Sequence, residues 1–256
     1  MKREKRVRTK EERAERTSKI IYSVVLISFI LPIIYLILRL CFPDLIKGTG
    51  RSDSDYILML LQCILGAIAI NLPSFLSKKL NIRIPRFLAL MFLIFLYCAI
   101  FLGEVANFYY RIPHWDDILH FFSSMMTGFL GFMVVSILNG HENVKVKMSP
   151  WFVALFAFCF SVTIGAVWEI YEFTGDGILG LNMQKFRLEG GADLVGRAAL
   201  TDTMKDIIVD CIGALTASLL GRLSLVNKRG MVYDYYKGDA TANGDKADKI
   251  KGGDKE

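Results

Sequence analysis

Six apolar stretches, at about 20–42, 56–76, 87–103, 118–138, 151–173 and 203–223, dominate this 256-residue chain and leave it few architectures. Each approaches the roughly 20 residues that a helix, rising ~1.5 Å per residue, needs to cross a hydrocarbon layer ~30 Å thick; the third only just does. Inside that layer every backbone N–H and C=O must find its partner within the protein, which permits helices or a closed barrel. The runs are continuous and do not alternate apolar with polar residues, so helices follow. A mean hydropathy of +0.39 with 53% apolar residues is too greasy for an ordinary soluble domain, and the runs are too segmented for one large core. The expected fold is all-α: a polytopic integral membrane bundle of six transmembrane helices.

The net charge of +6 is arranged as a topology signal and not as a nucleic-acid surface, so no nucleic-acid partner is expected. Nine Lys and Arg, from Lys2 to Lys19, precede the first stretch against four Glu. Lys78, Lys79, Arg83 and Arg86 follow the second stretch, and Lys145 and Lys147 the fourth. The alternate loops hold only Lys47, Arg51, Arg111, Lys185, Arg187 and Arg197. By the positive-inside rule, both termini are then cytoplasmic. The expected organisation is a basic cytoplasmic arm (1–19), a six-helix membrane domain (20–223) and a polar cytoplasmic tail (224–256). After Tyr236 that tail is almost free of apolar residues, a composition that cannot bury enough surface to fold. The arm would attract anionic lipid at about 1 kcal/mol per charge near the surface.

The first apolar run follows a basic leader but is far longer than the ~7–15 residues of a signal core, and it ends in Cys41, Phe42 and Pro43 without a small-residue cleavage site. It is expected to be retained as a helix. Cys41, Cys63, Cys98, Cys159 and Cys211 stand singly in apolar helices, which argues against disulfides and thiolate metal sites.

Ionisable residues cluster at helix ends that the topology brings out on one side. Asp116, Asp117 and His120 open the fourth stretch, Glu169 and Glu172 close the fifth, and Asp202, Asp206 and Asp210 enter the sixth. From the helical rise, Asp206 and Asp210 lie ~6 Å and ~12 Å below Asp202, and spacings of three and four put each set on one helical face. Small residues continue these faces: Ser124, Thr127, Gly128 and Gly131; Gly165 and Ser161; Gly213, Ala217 and Gly221. Their ordinary role is close helix packing, which marks these faces as interior.

Asp116, Asp117 and Asp202 have a structural explanation as N-terminal caps. Glu169 and Glu172 do not, because a helix C-terminus repels negative charge. Asp206 and Asp210 are too deep for capping. A central Asp costs ~2.5–3.5 kcal/mol on insertion scales, so such groups usually mark ion, proton or substrate paths. The crowd faces His120, Lys205 and whichever of Arg39, Arg111 or Arg197 approaches, and must bind a cation, share protons or stay wet. For Asp117, His120, Glu169, Glu172, Asp206 and Asp210 as ligands, Mg, Mn or Ca suits better than a thiolate-preferring metal, with Zn also compatible. His114 is a neighbour of this region and His141 a solvated loop residue. The glycine-rich segment 174–201 either folds back as a lid or rests at the interface. Phe108, Tyr109, Tyr110 and Trp115 suit an outer aromatic belt.

At Asp117 to Phe121, at Trp168, Glu169, Tyr171, Glu172 and Phe173, and at Asp202, Thr203, Asp206, Gly213 and Ala214, the chain resembles the YjdF-like family of bacterial inner-membrane proteins and, more distantly, the VanZ-like family. The resemblance covers about 111–220. It implies an inner-membrane protein without a settled biochemical activity; VanZ-like proteins are linked to glycopeptide-antibiotic tolerance. Asp210 departs from the YjdF-like pattern and stands where VanZ-like proteins carry Asn.

The leading expectation is a multi-pass plasma-membrane protein with an outward-facing Asp, Glu and His pocket. It would use a divalent cation or shared protons to act on, or bind, an envelope lipid head group. His120 would be ligand or general base, and Glu169 and Asp206 ligands or acid/base partners. No nucleophile is evident, so hydrolysis would need activated water. A proton- or cation-coupled carrier and a non-catalytic membrane scaffold are the alternatives.

Overall fold

A computed structural model describes residues 9–43, 45, 53–139, 148–188 and 192–236. These are almost entirely helical, and among them six helical stretches are long and apolar enough to span a membrane. No strand occurs among the described residues; one isolated antiparallel bridge joins Arg187 and Asp193. The chain divides into two compact units, Met1–Arg111 and Ile112–Glu256.

The first unit begins with α1 (Lys10–Cys41), so the basic residues from Lys10 to Lys19 form its opening turns. Thr9 starts it with a capping box: its hydroxyl accepts from the Glu12 N–H (3.2 Å) while the Glu12 carboxylate accepts from the Thr9 N–H (3.1 Å). The second span is broken at 70–71 into α2 (Asp53–Ala69) and α3 (Leu72–Lys79). The third is α4 (Arg86–Leu96) continued by a π-helical segment (Tyr97–Val105), after which α5 (Phe108–Arg111) forms a single turn. Large side chains fill the space between helices: Val25, Phe29, Ile70, Leu93 and Leu96 in one cluster, and Leu36, Tyr56 and Met59 in another. Arg39 lies over the Tyr56 ring, 5.3 Å from its centroid.

The second unit is a three-helix bundle of α6 (Trp115–Asn139), α7 (Pro150–Leu179) and α8 (Arg197–Asn227), each packed on the other two. Small residues set the spacing. A Cβ placed on Gly131 would lie 2.8 Å from the Ala157 Cα, and one on Gly213 would lie 2.6 Å from the Phe121 carbonyl oxygen. Backbones therefore touch where other helices keep side chains between them.

The last two spans run longer than their apolar cores imply. α7 continues from Phe173 through Thr174, Gly175, Asp176 and Gly177 to Leu179, ending at Gly180 in the left-handed conformation (φ 65°). Buried Asp176 holds that end by accepting from the N–H groups of Met183 (2.7 Å) and Gln184 (3.0 Å). Because polarity here serves the cap, Glu169 and Glu172 lie inside the helix and not at its close. α8 starts at Arg197, so Asp202 sits in its second turn and is not an N-cap. The segment joining these helices shrinks from 174–201 to 180–196.

The tail also begins later than 224. α8 reaches Asn227, and residues 231–236 form another helical turn, with Val232 buried beside Phe132, Val135 and Val153. The expected disorder after Tyr236 lies outside the described residues, as do 1–8, Lys47, Arg51, His141, Lys145, Lys147, Gly190 and Gly191.

Candidate functional site

The site is built where α6 and α8 begin and α7 approaches its end. On α7 the buried face repeats every four residues through Ala157, Ser161, Gly165 and Glu169. On α8 it runs through Asp206, Asp210, Gly213 or Ala214, and Ala217. A period near 3.6 puts these residues on interior stripes, with the acids at one end of each.

His120 is the hub. Its Nε2 lies 4.0 Å from an Asp116 oxygen, 4.0 Å from a Glu169 oxygen and 3.9 Å from an Asp206 oxygen. Its Nδ1 faces Asp210 Oδ1 at 3.3 Å. Donor atoms of Asp116, His120 and Asp206 all lie within 4.8 Å of one another. An ion about 2.0–2.6 Å from each ligand separates opposite ligands by roughly 4–5 Å, so this spacing suits a divalent cation. His120, Glu169, Asp206 and Asp210 are all buried.

Hydrogen bonding is incomplete in a telling way. Neither Glu169 oxygen has a hydrogen-bond partner among the described residues, and the same holds for Asp202 Oδ2 and Asp210 Oδ2. Buried polar atoms are normally paired, so these oxygens need a ligand, water or a proton. Asp210 Oδ1, by contrast, accepts from the Ser124 hydroxyl at 2.7 Å. The Ser161 hydroxyl donates to the Ser124 carbonyl (2.7 Å) and lies 2.8 Å from the Thr127 hydroxyl.

The sequence-derived ligands do not all arrive. Asp117 faces away from the hub, bonded to His114 Nδ1 (2.7 Å) and the Lys205 ammonium (2.7 Å). Glu172 accepts from the Trp168 indole N–H at 2.9 Å and sits at the edge of the cluster, near enough to act on Lys185 but without a contact to His120 among those the structure gives. Asp116, read from sequence as a cap, is at the hub instead. Asp210 meets the imidazole on the opposite ring nitrogen from Asp116, Glu169 and Asp206.

Lys185 was not among the counter-charges expected from sequence, yet its ammonium ion-pairs with Asp116. The segment after α7 carries it there. Asp176 ties down Met183 and Gln184, the Gln184 amide donates to the Thr203 hydroxyl (2.8 Å), and Asn182 and Arg187 exchange two hydrogen bonds of 2.8 and 2.9 Å. Burial alone would push the Lys185 ammonium down; the carboxylates of Asp116, Asp202 and Glu172 carry it above the ordinary lysine range instead. Residues 181–185 thus fold onto the cluster. The signal in the sequence was a lone lysine in an apolar and glycine-rich connection.

Fold and site define a multi-pass helical membrane protein with a buried Asp and His cluster. The chain belongs to the DUF2238 family of predicted membrane proteins, which matches over residues 18–227. That family is compatible with the YjdF-like resemblance, and the comparisons give no support to a VanZ-like one. The chain is also 33% identical over 116 residues to an uncharacterized protein of Thermotoga maritima; the match covers 45% of this chain and 51% of that relative, about half its length. No solved structure matches.

Proposed function

We propose that this protein holds a divalent cation at Asp116, His120 and Asp206, with Glu169 as a further ligand or acid/base partner, and that the loaded site binds or transforms an envelope lipid head group. The observation that carries the reading is the buried Glu169 carboxylate, short of close hydrogen bonds, beside an imidazole and two more carboxylates. A cation would supply the missing compensation, and a metal-bound water would supply the nucleophile that the side chains lack. His120 serves as ligand or general base. Mg, Mn and Ca match the oxygen-rich set best.

In this reading the site faces outward from the plasma or inner membrane, both termini are cytoplasmic, and the basic N-terminal residues lean on anionic lipid. The segment 180–188 covers the site, and Lys185 tunes its charge. A through-path carrier is disfavoured by the other half of the bundle, where Phe132, Val135, Val153 and Ala157 form an apolar core.

Metal analysis and Mn2+ titration of the purified protein in lipid nanodiscs test this. Saturable binding that weakens at least tenfold in Glu169→Gln and Asp206→Asn is expected. Absence of saturable binding for Mg2+, Mn2+, Ca2+ and Zn2+ would end the cation reading, and an unaltered envelope-lipid profile in cells carrying correctly inserted His120→Ala would end the lipid reading.

A further inference from the structure

We infer that Asp210 is not a cation ligand but the residue that aims His120, holding the proton on Nδ1 so that the Nε2 lone pair points at Asp116, Glu169 and Asp206. This rests on the cation reading for its purpose, though not for its geometry. Asp210 Oδ1 faces Nδ1 at 3.3 Å, while the three other carboxylates gather around Nε2 at 3.9–4.0 Å. A carboxylate facing one ring nitrogen draws the proton there and frees the other nitrogen as a ligand, the usual arrangement behind metal-bound imidazoles. With a cation between Nε2 and the three carboxylates, the opposite tautomer would leave the ion without its nitrogen ligand and set the Nδ1 lone pair against Asp210.

Asp210 is itself held from three helices. From α6, the Ser124 hydroxyl donates to the same oxygen that faces Nδ1. From α7, Ser161 fixes the Ser124 carbonyl. The missing side chain of Gly165, also on α7, makes the room: a Cβ there would overlap the Asp210 carboxylate, 2.9 Å from Cγ and 3.3 Å from Cβ. Gly213 lets α8 approach α6 closely enough for Ser124 to reach, since a Cβ there would stand 3.0 Å from the Ser124 Cβ. The glycine and hydroxyl stripe beneath the acids thus has a second purpose besides packing: it fixes the direction of one imidazole.

Two measurements decide it. In Mg2+-loaded protein carrying 15N-labelled histidine in nanodiscs, with the His120 signals assigned by their loss in His120→Gln, His120 is expected in the Nδ1–H tautomer. Ser124→Ala, Gly165→Ala and Asp210→Asn should disturb that signal. Their Mn2+ affinity should fall about 10–100-fold for Asp210→Asn, with smaller losses for Ser124→Ala and Gly165→Ala, although none of the three supplies a ligand. An Nε2–H tautomer in the unmodified protein overturns the inference whether or not any ion binds. So does wild-type Mn2+ affinity in Asp210→Asn when Glu169→Gln has lost it, a result that would leave the cation reading standing. Should the unmodified protein bind no ion while His120 keeps a proton on Nδ1, alone or as the imidazolium, that Asp210→Asn disturbs, the cation reading falls and the aiming role survives.

Discussion

The two units are made of the same material, apolar helices, and differ in what they put between them. In Met1–Arg111 the seams are filled by Phe29, Leu36, Tyr56, Leu93 and Leu96, and polar contacts sit beside them: the Tyr22 hydroxyl donates to Asn71 (2.9 Å) and the Gln62 amide reaches Glu104 on the π-helical segment at 3.4 Å. In Ile112–Glu256 the seams beneath the acids are glycine, alanine and serine, giving way to Phe132, Val135 and Val153 further along, and the buried His, Ser, Asp and Glu among the described residues are all there: His120, Ser124, Ser136, Ser161, Glu169, Asp176, Asp206, Asp210 and Ser218. Thick seams keep backbones apart and leave polar groups to meet singly, through long side chains. Thin seams bring short side chains from three helices within hydrogen-bond reach, and the acids at the end of each seam then share one space. The second unit is the one able to build a site.

The largest effect that could break this contrast lies at Gly213. A Cβ there meets a backbone carbonyl, which cannot rotate away, so Gly213→Val is expected to cost about 1–3 kcal/mol or more by overpacking. Thermal unfolding in detergent should show a lowered midpoint together with loss of Mn2+ binding. A variant that melts like the unmodified protein would mean that the thin seam is not what holds α6 to α8.

Much of this was legible in the sequence, for reasons that can be named. Six helices followed from run length, because hydrocarbon imposes a minimum span and forbids unpaired backbone. The convergence of His120, Glu169, Asp206 and Asp210 could be read from alternating topology, helical rise and 3.6-residue spacing together, since helices are straight enough for register to predict depth. What stayed hidden was set by single contacts. Asp176 reads as a loop residue until its cap to Met183 and Gln184 is seen. Lys185 arrives through that same turn. Asp116 and Asp117 are neighbours in sequence, and the ~100° between their directions on α6 sends one to His120 and the other to His114 and Lys205. Periodicity assigns a face; it does not resolve two adjacent carboxylates.

The next prediction sharpens the contrast by separating stability from function. Because the Glu169 carboxylate is short of hydrogen bonds, with His120 at 4.0 Å and Thr203 beside it as partial compensation, its burial costs the protein about 1–3 kcal/mol of desolvation that is not fully repaid without a ligand. Glu169→Met should therefore raise the unfolding midpoint of the ion-free protein and abolish Mn2+ binding. A lowered midpoint in the ion-free state would show that Glu169 already has its compensation. A smaller effect, about 1 kcal/mol, is expected from removing the partly buried ion pair in Lys185→Gln, and added Mn2+ should shrink the difference by neutralising Asp116 in its stead. The sign with pH is fixed. The Lys185 ammonium titrates above the ordinary lysine range, so its contribution is complete below about pH 10 and is lost only as pH rises through the folded value. Deprotonation of Lys185 therefore does not remove the midpoint difference between Lys185→Gln and the unmodified protein at about pH 9, and its disappearance there would refute the pairing.

The smallest expected effect belongs to the first unit and completes the comparison. Gly66 on α2 is as crowded as Gly213 by distance, for a Cβ there would lie 2.6 Å from Ile100 Cδ1 and 3.1 Å from the Phe29 ring. The nearest obstacle, however, is the tip of a flexible side chain and not a backbone carbonyl, and rotating it aside costs little. Alanine also gains roughly 1 kcal/mol of helix propensity over glycine in a helix interior, which offsets the contact with Phe29. Gly66→Ala should thus move the midpoint by less than about 0.5 kcal/mol, where Gly213→Ala, meeting the Phe121 carbonyl, lowers it clearly. Equal losses in the two variants would mean that seam thickness does not distinguish the units, and that the acids gather in the second for some reason other than the close approach of its helices.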